Sequence, residues 1–576
     1  MYIRLMYLQF NKKKGKNNKV YSSVLLCEKY RENGAVKTRV VMNLSKLPKE
    51  VITSLKVAIN KTKGQLIDSS DIKINQSFDY GYAFVVMEMM DRLRINEAIE
   101  KAYRGKSNLV KLMIIGKVLT RGSKLHIFNW IKRNKFIAEK LAIDTETLKV
   151  DDLYFELGEL SRGQGIIERK WNLYHKFRHQ DIYLYDITST YFEGSQNELA
   201  AFGYNRDGKK GKLQITVGLI TNSEGFPLKI QVFEGNVSDS KTVNGQLRAI
   251  KESFNAGRII LVGDRGMRIR LNLEEMDKEQ RQDIYYISAL TNSEIRALLK
   301  DRTIQLDLFA KQLVEIQDNG TRYILSCNPR IEQEKRQVRE NLKQRFEDEI
   351  LSLKTAWQKR RDQNLKNQTK LARGHKNKKL VTCFTEKKID SFKFRAGEFL
   401  KRYKMSNFYN INISNDEFTI NFLLEEYQKQ KQLDGKYIIE TTVQKERMNT
   451  EQVRQEYKKL QNVEHAFRDL KTDKLNIRPV YHRNEEQTRG HVFICMFAYA
   501  IVKEMETAIY PWLKSYNAKN KCKLSYWDII DELKNIKMSE LEIGYRMKEL
   551  KIPELNPIQV QVMKILKLNP CQIIET

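Results

Sequence analysis

Apolar and polar positions change period several times along the chain, and each change predicts a different kind of element. Near the start, YSSVLLCEKY and TRVVMNL flank a RENGAVK turn, so residues 1 to about 60 read as a small hairpin module. From 82 to about 178 the segments AFVVMEMMDRL, LVKLMIIGKVLTRG and LHIFNWIKRNK carry helical spacing, with no decisive helix-turn-helix signal. The period then shifts. DIYLYDITSTYF is a strand ending in Asp186, and KLQITVGLITNSEGFPLKIQVFEG is a strand pair about an Asn222-Ser223-Glu224-Gly225 turn. A helix (SKTVNGQLRAIKESFNAG) precedes the buried-type strand of RIILVGDRGM, which delivers Asp264 at its carboxyl end. A further helix (LNLEEMDKEQ) and strand (IYYISAL) complete an order that suits an α/β mixed sheet flanked by helices.

Between about 295 and 433 this pattern breaks. Short strands are expected at TIQLDLF, KQLVEIQ and TRYILSC, followed by a long charged helix. Its Val338, Leu342, Phe346, Ile350, Leu353 and Trp357 recur at three and four, which marks a core-facing stripe and gives Trp357 no special role. Sheet pattern resumes at DGKYIIETTV. An amphipathic helix follows, with Val453, Leu460, Val463, Phe467 and Leu470 on its apolar side and a capping box from Asn449 and Gln452 at its start. The apolar helix HVFICMFAYAIVKEM and a helical tail end the chain.

On that amphipathic helix Tyr457, Glu464 and Lys471 recur at intervals of seven. Seven residues turn about 700°, so each lies within roughly 20° of the last and about 10.5 Å further along one face. An acid between a phenol and an ammonium suits a metal ion and phosphates, although most charged helix faces are only solvated.

Bulk composition narrows the partners. A chain of 576 residues exceeds one core and predicts several domains; 41% hydrophobic content with 24 Phe and 27 Tyr supports globular folding. No run of eighteen apolar residues and no signal-peptide pattern occurs, so a cytoplasmic location is expected. Six scattered cysteines, Cys27, Cys327, Cys383, Cys495, Cys522 and Cys571, lack CxxC or zinc-like spacing and argue against a disulfide framework or a zinc site. Net charge is +31, with 103 Lys+Arg against 72 Asp+Glu. A Lys-rich, low-GC coding composition produces such an excess. Nucleic acid is the partner that neutralises it, and basic clusters at Lys12 to Lys19, Arg206 to Lys212 and Arg373 to Lys379 favour that reading. The basic, helical 82–178 region is then a candidate DNA-contacting domain, and binding would be strongly salt-dependent.

Three carboxylates stand where one site can collect them: Asp186 in the first strand of the mixed block, Asp264 after a later strand, and Glu464 on the helix after the last. Either Asp alone is more often a turn former or helix cap than a functional residue, and it is their joint placement on this strand order that points to a site. There is no P-loop, since GKKGK at Gly208 lacks the final Ser/Thr, and neither HExxH nor a Ser/His nucleophile pair is present. Three hard oxygen ligands suit Mg²⁺ or Mn²⁺ and leave coordination positions for water and substrate phosphates. Ions held in that way activate an attacking oxygen and stabilise a leaving one.

YDITSTYFEG, GYNRDGKKGKLQITVGLITNSEGFPLKIQVFEGN, VGDRGM, YKKLQNVEHAFRDLK and RPVYHRNEEQTRGHVFICMFAYA together resemble a DDE-type insertion-sequence transposase of the insertion sequence 4 superfamily, 1634-like branch. YRENGAVKTRVV near the start resembles the same family. The resemblance implies an RNase H-like mixed sheet flanked by helices and interrupted by an α+β insertion before the catalytic Glu, with N-terminal β-hairpin and helical modules. The corresponding division is a β-rich module at 1–75, a helical DNA-binding domain at 76–178, an RNase H-like domain split between 179–294 and 434–505, an inserted subdomain at 295–433, and a helical tail at 506–576.

It further implies that Asp186, Asp264 and Glu464 form the metal-binding catalytic triad, and that Tyr457 and Lys471 contact DNA near the cleaved end. Where the family pattern carries arginine this chain has Leu460, and Arg468, four residues beyond Glu464, is the expected substitute. The implied function is Mg²⁺-dependent cleavage at the terminal inverted repeats of the element, followed by strand transfer into target DNA. Work at two ends implies a homodimer or larger synaptic complex on double-stranded DNA, associated with the nucleoid. The rival readings are an RNase H-like DNA nuclease without strand transfer and an inactive DNA-binding remnant.

Overall fold

A computed structural model describes residues 5–569 apart from 15–19, 33–34, 61–71, 176–180, 195, 255, 278, 280, 311–312, 374–385, 473 and 544–546. The turn at Asn33-Gly34, most of the basic clusters after Lys14 and Arg373, and Cys383 and Cys571 lie outside the described residues. The chain divides into two units, one of residues 1–85, 133–136 and 512–576, the other of 86–132 and 137–511.

In the first unit, Leu5–Lys14, Val20–Glu32 and Ala35–Asn43 form an antiparallel three-stranded sheet. A helix at Lys49–Asn60 follows, which the alternating pattern did not predict. The segment expected as a helical tail needs correcting. It contains helices Tyr526–Lys534 and Pro557–Leu566, but Lys537–Ile543 and Met547–Lys551 are strands, paired with Ile72–Asp79. Met538 and Phe78 are buried cross-strand neighbours, so the burial that sets this sheet comes from residues far apart in sequence.

The second unit opens with helices. Ser107–Thr120 is apolar almost all round and accordingly central, with Leu112, Met113 and Ile114 inaccessible. The long helix Val150–Tyr174 buries Trp171, whose indole N–H donates to the Leu93 carbonyl at 2.9 Å.

Eight strands form the main sheet. Their spatial order is Val314–Asp318, Thr321–Cys327, Lys436–Thr441, Ile284–Ala289, Ile259–Gly263, Ile182–Tyr191, Gln214–Thr221 and Pro227–Glu234. Gln214–Thr221 is antiparallel to both its neighbours, Ile182–Tyr191 and Pro227–Glu234, while Ile182–Tyr191, Ile259–Gly263 and Ile284–Ala289 run parallel. This mixed sheet with flanking helices is the fold class expected from the resemblance. Asn222 to Gly225 forms the anticipated turn, with Gly225 at φ 82° and the Asn222 N–H on the Phe226 carbonyl at 3.0 Å.

The boundary expected at 295 is displaced. Val314–Asp318 and Thr321–Cys327 extend the main sheet beyond Lys436–Thr441, so the segment standing apart from it begins near Pro329. TIQLDLF is no strand; Leu306–Ala310 is a short 3-10 turn, and Ile304 and Phe309 pack on Tyr323, Leu325 and Ile438. The segment's two ends meet: the Asn328 N–H donates to Gly435 O at 2.8 Å. Gly435 has φ 69°, and a Cβ there would lie 2.6 Å from the Asn328 carbonyl, so glycine is required.

The inserted part comprises helices Pro329–Ala372, Glu386–Arg402 and Leu424–Lys431 and the hairpin Tyr409–Ile413/Phe418–Phe422. Phe346, Ile350, Leu353 and Trp357 form its core with Phe392 and Tyr409. The Trp357 indole donates to Ser414 O at 3.2 Å, which confirms a packing role. The stripe starts later than its spacing suggests, because Val338 is 57% exposed.

Helix Glu485–Asn520 crosses helix Val150–Tyr174 at Gly490, where a Cβ would lie 2.0 Å from the Leu157 carbonyl oxygen. Backbone cannot yield as a flexible side chain does, so Gly490→Ala should cost about 3 kcal/mol. Gly165→Ala, on the second helix with nothing within 4 Å, should instead gain about 0.5–1 kcal/mol. Thermal unfolding followed by circular dichroism checks the contrast; equal melting temperatures for the two variants would contradict it.

Candidate active site

Ile182–Tyr191 and Ile259–Gly263 are parallel neighbours whose last registered pair is Tyr185 with Gly263. One residue further along, both strands meet aspartate: Asp264 lies just past the second, while the first does not end at Asp186 as expected but runs on to Tyr191, paired along that length with Gln214–Thr221. An Asp186 oxygen accepts the Ile187 N–H at 2.8 Å, and an Asp264 oxygen accepts the Arg265 N–H at 2.8 Å, capping the short turn Arg265–Met267. The cap reading of Asp264 is therefore correct, and it leaves the other carboxylate oxygen for further contacts.

Glu464 arrives from elsewhere. Helix Leu460–Lys471 buries Leu460, Val463, Ala466, Phe467 and Leu470 and leaves Glu464 exposed. Asn462 donates to Ser223 O at 2.8 Å, tying this helix to the Asn222–Gly225 turn. The amphipathic stretch is two helices, Thr450–Lys458 and Leu460–Lys471, separated at Lys459. The Asn449–Gln452 capping box is present at the first.

Asp186, Asp264, Glu464 and Tyr457 line one cavity of about 670 Å³. Burial pushes the Asp186 carboxyl up to about 7; the Ile187 N–H opposes this, the Asp264 charge adds to it, Arg206 opposes it, and Glu464 adds to it. Burial likewise raises the Tyr457 phenol, with Asp264 contributing further, so the hydroxyl stays protonated as a hydrogen-bond donor.

Lys471 is placed differently from Tyr457 and Glu464. It does not line the cavity. Its ammonium donates to Thr188 Oγ1 at 2.6 Å, Ser189 O at 2.6 Å and Asp207 Oδ1 at 2.8 Å. Burial lowers its pKa and the Asp207 partnership offsets that. Asp207 is 2% exposed and also pairs with Arg478. Arg468 is exposed on the Glu464 helix, outside the cavity lining. Leu460 lines the cavity and supplies no charge, whereas Arg206, Arg265, Lys335, Lys436 and Lys458 all do.

Those cations were not singled out as site residues. Arg206 belongs to the basic cluster at 206–212, where one guanidinium nitrogen donates to both Asp239 carboxylate oxygens at 2.7 and 2.8 Å. Arg265 lies within VGDRGM. Lys335 and Lys436 had no local signal, because both reach the cavity only through the meeting of Asn328 and Gly435.

Residues 177–501, more than half of the chain, match the transposase DDE domain. The chain belongs to the DDE transposases. Residues 8–68 match the N-terminal domain of the IS1634 family transposases, which identifies the insertion-sequence family of this DDE transposase. Among solved structures, one similar chain comes from "Cryo-EM structure of piggyBac transposase synaptic complex with hairpin DNA"; it is 11% identical with a TM-score of 0.22, over 43% of this chain and 49% of that one. So low a score carries no argument. The curated proteins give no match.

DDE transposase domains use divalent metal ions. The donor set of this transposase fits such an ion: three carboxylates share a cavity, and two of them add like charge to a third whose ionisation burial already opposes. Among the described residues no three such groups are close enough to hold a metal as they stand. Mutual repulsion opposes that approach until a cation offsets it. No described helix of the transposase is long and apolar enough to cross a membrane.

Proposed function

We propose that this transposase binds the terminal inverted repeats of its element, cleaves the DNA there, and joins the freed ends to target DNA. The observation that carries this reading is the juxtaposition of Asp186, within one of two parallel strands, and Asp264, just past the end of the other, with Glu464 on the same cavity. Asp186, Asp264 and Glu464 hold Mg²⁺, with Mn²⁺ as an alternative. The bound metal supplies charge that favours attack by an oxygen at phosphorus and departure of another.

The remaining residues bind and orient the substrate. Arg265 and Lys335 provide cationic contacts for phosphates, and the Tyr457 hydroxyl donates to a phosphodiester oxygen. Arg468 extends the contact outside the cavity. Lys471 acts from beneath, holding Thr188 and Asp207 in the wall next to Asp186. In the first step water attacks phosphorus and the P–O3′ bond breaks, leaving a 3′-OH and a 5′-phosphate. In the second that 3′-OH attacks a target phosphodiester and displaces the target's own 3′ oxygen. A dimer or larger synaptic assembly holds both ends, and the working location is the nucleoid.

The test incubates the protein with end-bearing DNA, Mg²⁺ and a target plasmid. Joined products are expected. They should fall below detection with a chelator and return on adding Mn²⁺. Nicks without joined products would instead identify a nuclease lacking strand transfer, and no cleavage by wild type a DNA-binding remnant. Inverted repeats bordering the gene, with short direct duplications outside them, are expected in the flanking DNA.

A further inference from the structure

A second cavity, of about 820 Å³, lies between the 476–491 segment and the junction where helix Ser107–Thr120 ends and helix Lys124–Ile131 begins. Its lining carries Lys117, Arg121, Lys124, Arg478 and Arg483, with Asp151, exposed at the rim, as the one carboxylate. Lys117 and Lys124 are each 2% exposed. Neither meets an acid: the Lys117 ammonium donates to Asn476 O at 3.0 Å, and Lys124 Nζ lies 3.1 Å from His491 Nδ1.

Buried cations are ordinarily paired, because an unpaired charge taken out of water costs several kcal/mol or is lost by deprotonation. Burial pushes Lys124 down to about 7, and the neighbouring Lys117 adds to that; burial also lowers Lys117 and takes His482 down to about 3. One such lysine is tolerable as a neutral hydrogen-bonding amine. Two in one cavity, with three guanidiniums beside them, form a site whose missing component is an anion.

The cavity also adjoins the active site through specific contacts. Arg478, in its lining, pairs with Asp207, which takes Lys471 as its other cation. The next residue, Arg206, lines the cavity of the three acids. An anion seated at Lys124 therefore shares its cavity with Arg478, whose partner Asp207 adjoins a residue of the other cavity.

We propose that this pocket is a binding site for one backbone phosphate of the DNA, with Lys117, Lys124 and Arg483 as its ligands. The proposal rests on the function given above. Phosphate is the fitting class: a compact anion whose oxygens accept from ammonium and guanidinium donors together, and which brings a charge that a neutral ligand lacks.

A methylphosphonate scan tests it, removing the charge of one phosphate at a time along an end-bearing duplex bound by full-length protein. For wild type, neutralising one particular phosphate should weaken binding about five- to tenfold. For Lys124→Met and Arg483→Gln the same neutralisation should cost nothing further, and each variant should show a salt slope shallower by about one. Arg483 is exposed, so its variant folds as wild type and decides alone if Lys124→Met does not fold. Additive losses at every position in Arg483→Gln, with an unchanged salt slope, would overturn the proposal. So would a pocket that takes up inorganic phosphate while duplex binding is identical in the variants, since that describes a free-anion site. Wild type that never cleaves DNA but shows the position-specific loss refutes the transposition reading and upholds the pocket.

Discussion

Glu464→Gln should bind end-bearing DNA within about twofold of wild type and cleave it at least about 10³-fold more slowly. Glu464 is exposed and makes no described contact that holds the fold, so the near-isosteric amide leaves structure and DNA affinity intact. What the variant loses is an anionic oxygen ligand. On the proposed function, Asp186 and Asp264 alone would hold the metal more weakly, and a 10³-fold loss corresponds to about 4 kcal/mol of transition-state stabilisation. Gel-shift titration and single-turnover cleavage on the same DNA separate the two effects. Cleavage at the wild-type rate would remove Glu464 from the triad.

The largest expected structural effect belongs to Asp207→Asn. Asp207 is buried between Lys471 and Arg478, and it also accepts the Tyr191 N–H at 3.2 Å. Removing its charge leaves two partly buried cations facing a neutral amide, a change of the kind that costs about 3–5 kcal/mol. The melting temperature should fall by about 5–10 °C. Adding Lys471→Met should recover part of that loss, because one of the two stranded cations is gone. A double variant no more stable than Asp207→Asn would show that Lys471 and Asp207 are not coupled.

Much of the catalytic region was legible because its strands are continuous or alternating apolar runs. IYLYDITSTY and IILVG announce buried strands, and an aspartate interrupting the first (Asp186) or following the second (Asp264) is visible without tertiary information. Glu464 was legible as part of a helix face. Lys471 was not: its partner Asp207 sits in an aperiodic Gly- and Lys-rich loop, and only the three-dimensional path brings Thr188, Ser189 and Asp207 together beneath it. The seven-residue line of Tyr457, Glu464 and Lys471 crosses a helix boundary at Lys459, and its last member points into the protein.

The displaced boundary at 295 has a related cause. Val314–Asp318 and Thr321–Cys327 look like any short strands, and their membership of the main sheet is decided by pairing with Lys436–Thr441 across the whole insertion. Loops and insertions of this kind cost little entropy per added residue, so sequence distance is a poor guide to sheet membership. The strands at Lys537–Ile543 and Met547–Lys551 were missed for the same reason, since their partner lies at Ile72–Asp79.

The central claim is that Asp186, Asp264 and Glu464 form one metal site on which the DNA end is processed. Anomalous diffraction from crystals of the protein with end-bearing DNA and Mn²⁺ tests it most directly. The account predicts a manganese peak flanked by the Asp186 and Asp264 carboxylates, with Glu464 and a DNA phosphate completing its shell, and weaker or absent in Asp264→Asn. Manganese bound elsewhere on the chain, with the three carboxylates still apart in the presence of DNA, would contradict it.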